Sequence, residues 1–338
     1  MQRCIELAAR GIGHVAPNPP VGAVIVYNNR IIGEGWHKGY GQDHAEVMAL
    51  NSVSAEDKKY FSQSTLYVSL EPCNHVGKTP PCSDRIIAEG IPTVVIGTMD
   101  PNSSVKGQGL QRLQSAGIDV IESIAQTDCD WLIRRFKKHA QQRPYYILKW
   151  AQSAQGYMGL PDRQIWFSNS ITKLLSHKWR SQIDGLLVGH RTITIDKPTL
   201  NNRFFGSRSP VIIILDVHNK LADNQHIKTL KSKIIIINSE HQYQDQSIHF
   251  ERIDSAIELY PQLDQILVKH SLYTIMIEGG ATTLKSFIQA KIWDEARIIK
   301  TAADLNHGII APKLSGTAVS RMRLQSDVIE TWISDTVI

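Results

Sequence analysis

The feature that most limits how this chain can fold is a regular alternation of short β-branched runs with segments of helical periodicity. The runs at 23–27 (AVIVY), 65–69 (TLYVS), 93–97 (TVVIG), 145–149 (YYILK), 211–215 (VIIIL), 233–237 (KIIII), 273–277 (YTIMI) and 295–299 (EARII) are strand-like in length and composition. Helical patterns fall between them at 2–10, 43–53, 83–89, 108–116, 170–181 and 281–290. Strands alternating with helices predict an α/β layered architecture. A length of 338 residues exceeds one ordinary domain. A boundary fits near 139–144, where the basic run Arg134-Arg135-Phe136-Lys137-Lys138 gives way to Gln141-Gln142-Arg143-Pro144. Proline disfavours helix at the residue before it, and a new strand follows. The expected domains are therefore 1–143 and 144–338.

Charge and composition exclude several classes. A net charge of +5 over this length is too weak for a nucleic-acid surface, and the basic run at 134–138 reads as a solvated helix end. No apolar run reaches the roughly 18–20 residues that a membrane span needs. Residues 1–10 lack the apolar stretch of an export signal. A cytoplasmic protein with neither membrane nor nucleic-acid partner is expected. In such a reducing compartment Cys73 and Cys82, each preceded by proline, point to metal binding or catalysis before disulfide formation.

The chemistry concentrates in His44-Ala45-Glu46, Glu71-Pro72-Cys73 and Pro80-Pro81-Cys82. One imidazole and two thiolates give zinc three ligands and leave a fourth position open for water, as catalytic sites require. The thiolates offset the metal charge, yet the centre still acidifies water. Glu46 does not share a helix face with His44. The pair works only with the metal at the helix start, where Glu46 reaches round to the water. Cys82 opens a helix whose N-terminal field favours thiolate. Activated water then attacks an amidine-like ring carbon, and Glu46 carries protons to the ring nitrogen and the leaving ammonia. Zinc deaminases with the signature H-x-E and P-C-x-x-C work in this way. Each motif alone is commonplace, a helix or a buried thiol, and their ordered combination favours the metal. The spacing departs from that signature, because eight residues separate Cys73 from Cys82 and place His75, Gly77 and Lys78 beside the metal.

The motifs Pro17 through Gly22 (PNPPVG), Gly33 through His37 (GEGWH), His44-Ala45-Glu46, Glu71 through Cys82, and Asp100 through Gly109 together resemble the bifunctional deaminase–reductase family of riboflavin biosynthesis. The resemblance spans the first half and extends into the second. It implies a cytidine-deaminase-like α/β/α domain followed by a dihydrofolate-reductase-like α/β domain. It further implies Zn2+-dependent removal of the 2-amino group from a diaminopyrimidinone carrying phosphoribosylamine, then NADPH reduction of the ribosyl group to ribityl. Asn18, His75, Lys78 and Asp100 would contact the pyrimidine or its phosphoribosyl arm. An amide suits a ring edge of donors and acceptors, and an ammonium suits phosphate. The family commonly associates through its reductase domains, so a homo-oligomer is expected.

In the second half no G-x-G-x-x-G follows a strand, so a Rossmann cofactor site is not indicated. The strand at 273–277 runs instead into Glu278-Gly279-Gly280 and a helix, where backbone N–H groups can meet a dinucleotide phosphate. By resemblance, Ala151, Trp166, Thr192, Asp196, Gly280, Ala281, Thr282, Thr283, Leu284, Lys285 and Ser286 would line NADPH. Arg180, Leu200, Arg203 and Glu278 would line the substrate, and a pair of guanidinium forks suits a ribose phosphate. Several positions depart from the family's usual residues: Gln155 replaces an Asp, Gln164 a Ser, Lys197 an Asp or Asn, Asn201 a Thr and Val217 a Ser. Hydride transfer mainly needs the nicotinamide held against the sugar carbon, so a working reductase is the preferred reading. Two alternatives stay open. Residues 144–338 could be a degenerate, non-catalytic scaffold. The chain could also edit nucleic acid, although the sequence has neither P-C-x-x-C nor a basic stacking surface.

Overall fold

The structure, a computed structural model, describes every residue except 76–79, 164, 207–208, 222–223, 246 and 336–338. The chain divides into two compact units, Met1–Gln142 and Arg143–Ile338. The first unit contains α1 (Gln2–Ala9), β1 (Gly22–Tyr27), β2 (Arg30–Trp36), α2 (Ala45–Ser52), β3 (Thr65–Val68), α3 (Cys82–Ala88), β4 (Thr93–Ile96), α4 (Gln108–Ser115), β5 (Asp119–Ile121), α5 (Gln126–Leu132) and α6 (Arg134–Ala140). Its five-stranded sheet has the order β2-β1-β3-β4-β5. β1 pairs antiparallel with β2 and β3, whereas β3, β4 and β5 run parallel. Asn28 and Asn29 both take positive φ (48° and 60°) in the β1–β2 hairpin, where a short polar side chain tolerates that region.

Both faces of this sheet are covered, which is why its strands read as nearly continuous apolar runs. On one face Ala45, Ala49 and Leu50 of α2, Ile86 of α3 and Leu113 of α4 pack on Ala23, Ile25, Leu66, Val68, Val94 and Ile96. On the other, Cys4 and Leu7 of α1 cover Val24, and Ala8 packs with Leu132 and Ile133. Full burial of an aliphatic side chain of this size contributes about 1.5–3 kcal/mol.

The second unit contains β6 (Tyr145–Gln152), α7 (Ser170–Arg180), β7 (Gly185–Gly189), α8 (His190–Asp196), β8 (Val211–Leu215), β9 (Ile234–Asn238), β10 (Tyr243–Asp245), β11 (Ile248–Arg252), α9 (Leu259–Lys269), β12 (Thr274–Ile277), α10 (Ala281–Gln289), β13 (Glu295–Lys300), β14 (Thr317–Leu324) and β15 (Asp327–Ile333). One ten-stranded sheet has the order β10-β11-β9-β8-β7-β12-β6-β13-β15-β14. From β11 to β13 every pairing is parallel, with antiparallel β10, β15 and β14 at the margins. β9 shows the division of faces. Ile235 and Ile237 join the core under α9 and α10, and Ile234 and Ile236 join the core on the opposite face, where Trp179 of α7 and Ile193 of α8 pack.

Candidate functional sites

The first site is built on a helix laid directly against a strand. Gly33 and Gly35 of β2 carry no side chain because α2 occupies that space. A Cβ on Gly33 would stand 2.6 Å from the Ala49 carbonyl oxygen, and one on Gly35 2.5 Å from that of Ala45. This close approach fixes His44, the residue that caps α2 in an extended conformation (φ −71°, ψ 165°), and places Glu46 in its first turn. Across the sheet, Cys73 follows β3 and Cys82 opens α3. The Cys82 N–H donates to Cys73 Sγ at 3.4 Å, as expected of a helix start facing a thiolate.

His44, Cys73 and Cys82 offer three ligand atoms that all lie within 4.8 Å of one another. His44 Nδ1 is 3.5 Å from Cys73 Sγ and 3.3 Å from Cys82 Sγ. Zinc bonds of about 2.0 Å to nitrogen and 2.3 Å to sulfur at tetrahedral angles separate those atoms by about 3.5 Å, so the donor set fits that ion. Hydrogen bonding from the Cys82 thiol pulls Cys73 far below the ordinary thiol range against the effect of burial. The same bond and burial push Cys82 up. Glu46 is 3% exposed. Burial, reinforced by the charge of Cys73, pushes its carboxyl up to about 7.

His44, Glu46 and Cys73 face a cavity of about 670 Å³, lined also by Asn18, His37, His75 and Asp100. The sequence-predicted residues Asn18, His75 and Asp100 thus line the same cavity as His44 and Cys73. Lys78 lies outside the described residues. Two residues that sequence reasoning left without a role organise the cavity. His37 is buried, lies edge-on to His44, and is 3.1 Å from Asn18 Nδ2. The Glu71 carboxylate accepts the backbone N–H groups of Asp100 (3.2 Å), Gly107 (3.0 Å), Gly109 (3.0 Å) and Leu110 (3.4 Å). Glu71 thereby fixes the loop that carries Asp100. Its place beside Pro72-Cys73 was the available signal.

The second unit gathers a charged cluster at the carboxyl ends of its parallel strands. Arg180 of α7 grips the Glu278 carboxylate with two bonds, Nε at 3.0 Å and Nη2 at 2.6 Å. Lys149 of β6 lies 3.7 Å from the same carboxylate. Burial alone would raise Glu278, but the charges of Arg180 and Lys149 overcome it and hold the group at about 2. Lys149 was missed because a single lysine inside a strand gives no pattern. Arg203 is held against α7, its backbone N–H donating to His177 Nδ1 at 3.3 Å. Gly189 ends β7 where a Cβ would come within 2.7 Å of Thr283 Oγ1, so the β7 end and the first turn of α10 close on each other. Gly280 caps α10, and no side chain bonds the cap.

Residues 144–327 match the RibD C-terminal domain, more than half the chain, and residues 1–98 match the cytidine and deoxycytidylate deaminase zinc-binding region. The riboflavin biosynthesis protein RibD of Aquifex aeolicus is 34% identical over 327 residues, covering 95% of this chain and 88% of that protein. The chain belongs to the RibD family. The Escherichia coli RibD protein is 31% identical, covering 94% of this chain and 88% of its own length. A Thermotoga maritima crystal structure, described as a diaminohydroxyphosphoribosylaminopyrimidine deaminase/5-amino-6-(5-phosphoribosylamino)uracil reductase, superposes with a TM-score of 0.89 at 30% identity, covering 99% and 97% of the two chains. RibD of Acinetobacter baumannii gives a TM-score of 0.84 at 28% identity, covering 98% and 97%.

As a RibD protein the chain is a bifunctional deaminase and reductase of riboflavin biosynthesis, with a zinc-binding site at His44, Cys73 and Cys82. The expected α/β class, a cytidine-deaminase fold followed by a reductase fold, is borne out. RibD membership leaves the nucleic-acid-editing alternative without support. Among the described residues no helix is long and apolar enough to cross a membrane.

Trp166 is 68% exposed, with Lys173 Nζ 5.4 Å from its ring centre. Thr192 and Asp196 lie on α8, and burial pushes Asp196 up. Ala151, in β6, packs against the core on the α7 face. The Leu200 side chain is buried in that same core, so what it offers a ligand is backbone. On α10, Ala281 and Leu284 face the core while Thr282 and Lys285 are exposed. The helix can therefore meet a ligand through its first N–H groups and one face, not through seven consecutive side chains. Among the departures, Gln155 Oε1 accepts the Leu305 N–H at 3.1 Å and Val217 packs on the core. Lys197 and Leu200 both take positive φ (42° and 50°) at the turn after α8, and Asn201 follows them. Gln164 lies outside the described residues.

Proposed function

We propose that this chain converts 2,5-diamino-6-(5-phosphoribosylamino)pyrimidin-4(3H)-one to 5-amino-6-(5-phosphoribitylamino)uracil, deaminating at residues 1–143 and reducing with NADPH at residues 144–338. The observation that carries the reading is the clustering of His44, Cys73 and Cys82 as one ligand set, with His44, Cys73 and Glu46 lining a 670 Å³ cavity that also presents Asn18, His75 and Asp100. Bound by the three ligands, zinc supplies the Lewis acidity that makes water a nucleophile near neutral pH. Glu46 receives the proton of the attacking water and returns it to the ring nitrogen and the departing ammonia. Burial raises the Glu46 carboxyl, which suits a group that must both take up and give back a proton. Asn18 orients the ring edge, His75 and Asp100 hold the neighbouring substrate groups, and Lys78 takes the phosphate.

For reduction, the uncapped start of α10 beside Gly189 suits a pyrophosphate, since unpaired N–H groups and the helix field both favour an anion there. NADPH supplies the hydride, and Ala151, Trp166, Thr192 and Asp196 flank it. The Arg180–Glu278 pair, Leu200 and Arg203 hold the phosphorylated sugar so that its carbonyl carbon faces the nicotinamide. We infer that the chain acts in the cytoplasm, where Cys73 and Cys82 stay reduced for the metal, and self-associates through the second unit. Support for association comes from β14, an edge strand exposed along most of its length with Val319 and Met322 at 43% and 45% exposure.

A coupled assay tests the reading. The pyrimidine substrate is supplied with and without NADPH, alongside zinc quantification. Ammonia release in both arms, with NADPH oxidation only in the presence of deaminated product and about one zinc per chain, is expected. Ammonia release without NADPH oxidation would instead favour a non-catalytic second unit.

A further inference from the structure

His177 meets more donors than its ring can satisfy. It lies one turn before Arg180 on α7, so both side chains face the segment 200–205. Arg180 Nη1 donates to the Asn201 carbonyl at 3.2 Å, and two residues on, the Arg203 N–H donates to His177 Nδ1 at 3.3 Å. Phe204 lies edge-on to the imidazole, with centroids 4.7 Å apart at 87°. The ring is 3% exposed. Burial, then the charges of Arg180 and Arg203, with Lys173 adding and Glu278 opposing, hold its pKa down to about 4. A neutral imidazole has one bare nitrogen and one N–H. Two donors face this one: the Arg203 backbone N–H at Nδ1, and Arg203 Nη2 at 3.4 Å from Nε2.

The backbone donor cannot turn away, whereas the exposed guanidinium has further N–H groups and water. Nδ1 therefore accepts the backbone bond and Nε2 carries the proton. The Nε2–H and Nη2–H groups, 3.4 Å apart, cannot bond one another, but both can donate to one oxygen placed between them. Arg203 is cationic, and Arg180 lies a turn away, so an anionic oxygen is favoured. We propose that His177 is a phosphate-binding residue of the reductase site, tethering the Arg203 segment through Nδ1 and sharing one phosphate oxygen of the substrate with Arg203 through Nε2–H. This rests on the reductase reading above and adds a ligand to the sugar-phosphate subsite.

His177→Asn places an amide oxygen near the Nδ1 position, keeping the tether, but has no donor at Nε2. Its reductase KM for the deaminated, phosphorylated intermediate is expected to rise about tenfold, the usual effect of losing one charge-assisted bond. kcat should stay within about twofold. Inhibition of reduction by inorganic phosphate should weaken in parallel, while the NADPH KM and deamination stay unchanged. His177→Phe, which removes the tether as well, should raise KM further. A residue with a merely structural role would lower the thermal midpoint and leave KM and phosphate inhibition unmoved, and that result overturns the proposal. If the wild-type chain failed to reduce the intermediate at all, the reductase reading would fall. Calorimetric titration of inorganic phosphate onto the full wild-type and His177→Asn chains would then decide this proposal alone, with equal affinities counting against it.

Discussion

Glu46 illustrates how burial turns an ordinary side chain into a proton carrier. It is buried beside two sulfurs and an imidazole, and its carboxyl is pushed up to about 7. Glu46→Gln preserves shape and leaves the three ligands intact, so full zinc content is expected with deamination reduced by about 10²–10⁴-fold. Elemental analysis and ammonia release check the two halves of that outcome. Glu278 shows the opposite displacement. Its carboxyl stands at about 2 where 4.5 is usual, a difference worth on the order of 3 kcal/mol of stability at neutral pH. Because the folded value is the lower one, this contribution is complete above about 4.5 and is lost as pH falls towards 2. Glu278→Gln should remove that acid dependence. It should also destabilise the unit by roughly 3–5 kcal/mol at pH 7, since Arg180 and Lys149 are left facing no anion. Urea midpoints measured between pH 7 and pH 3 report both effects.

Among the elements, the Asp100 loop depends on one carboxylate that satisfies four backbone donors. Glu71→Gln leaves one acceptor oxygen and introduces a donor, so about 2–4 kcal/mol of stability and roughly tenfold in deaminase KM should be lost. Reduction of supplied intermediate should be unaffected, as steady-state assays of the separate steps would show. Among strands buried on both faces, β8 and β9 announced themselves in the sequence through β-branched runs, whereas β7, Gly-Leu-Leu-Val-Gly, has no such run and was missed. β2 was missed too, because Gly33, Glu34 and Gly35 break the apolar pattern at the place where α2 takes the room of side chains. β14 was hidden for another reason: polar and apolar residues mix along it without a β-branched run, it is exposed along most of its length, and only pairing with β15 makes it a strand. α9 was missed because Pro261 sits in its first turn, where proline is tolerated. The metal ligands were readable from residue type and order alone. Lys149 and His177 were not, since their roles come from partners 129 and 26 positions away in the chain, and for Glu71 only its place beside Pro72-Cys73 hinted at a partner 29 positions away.

At the scale of the whole molecule, each unit closes its own sheet and assembles its site from its own segment. Loss of one chemistry should therefore leave the other standing. A mixture of Glu46→Gln and Arg203→Ala chains is expected to carry substrate through both steps, the first made by one variant and the second by the other. Either variant alone should stall, and product formation followed chromatographically distinguishes the cases. An inert mixture would mean that the intermediate is not released between the steps.

The bare strip on β2 has one more effect. At Gly35 helix and strand meet main chain to main chain, so their separation there is set by peptide dimensions, and those do not vary with neighbouring composition. The ion's seat is thus gauged against a ruler that drift elsewhere in the core cannot lengthen or shorten.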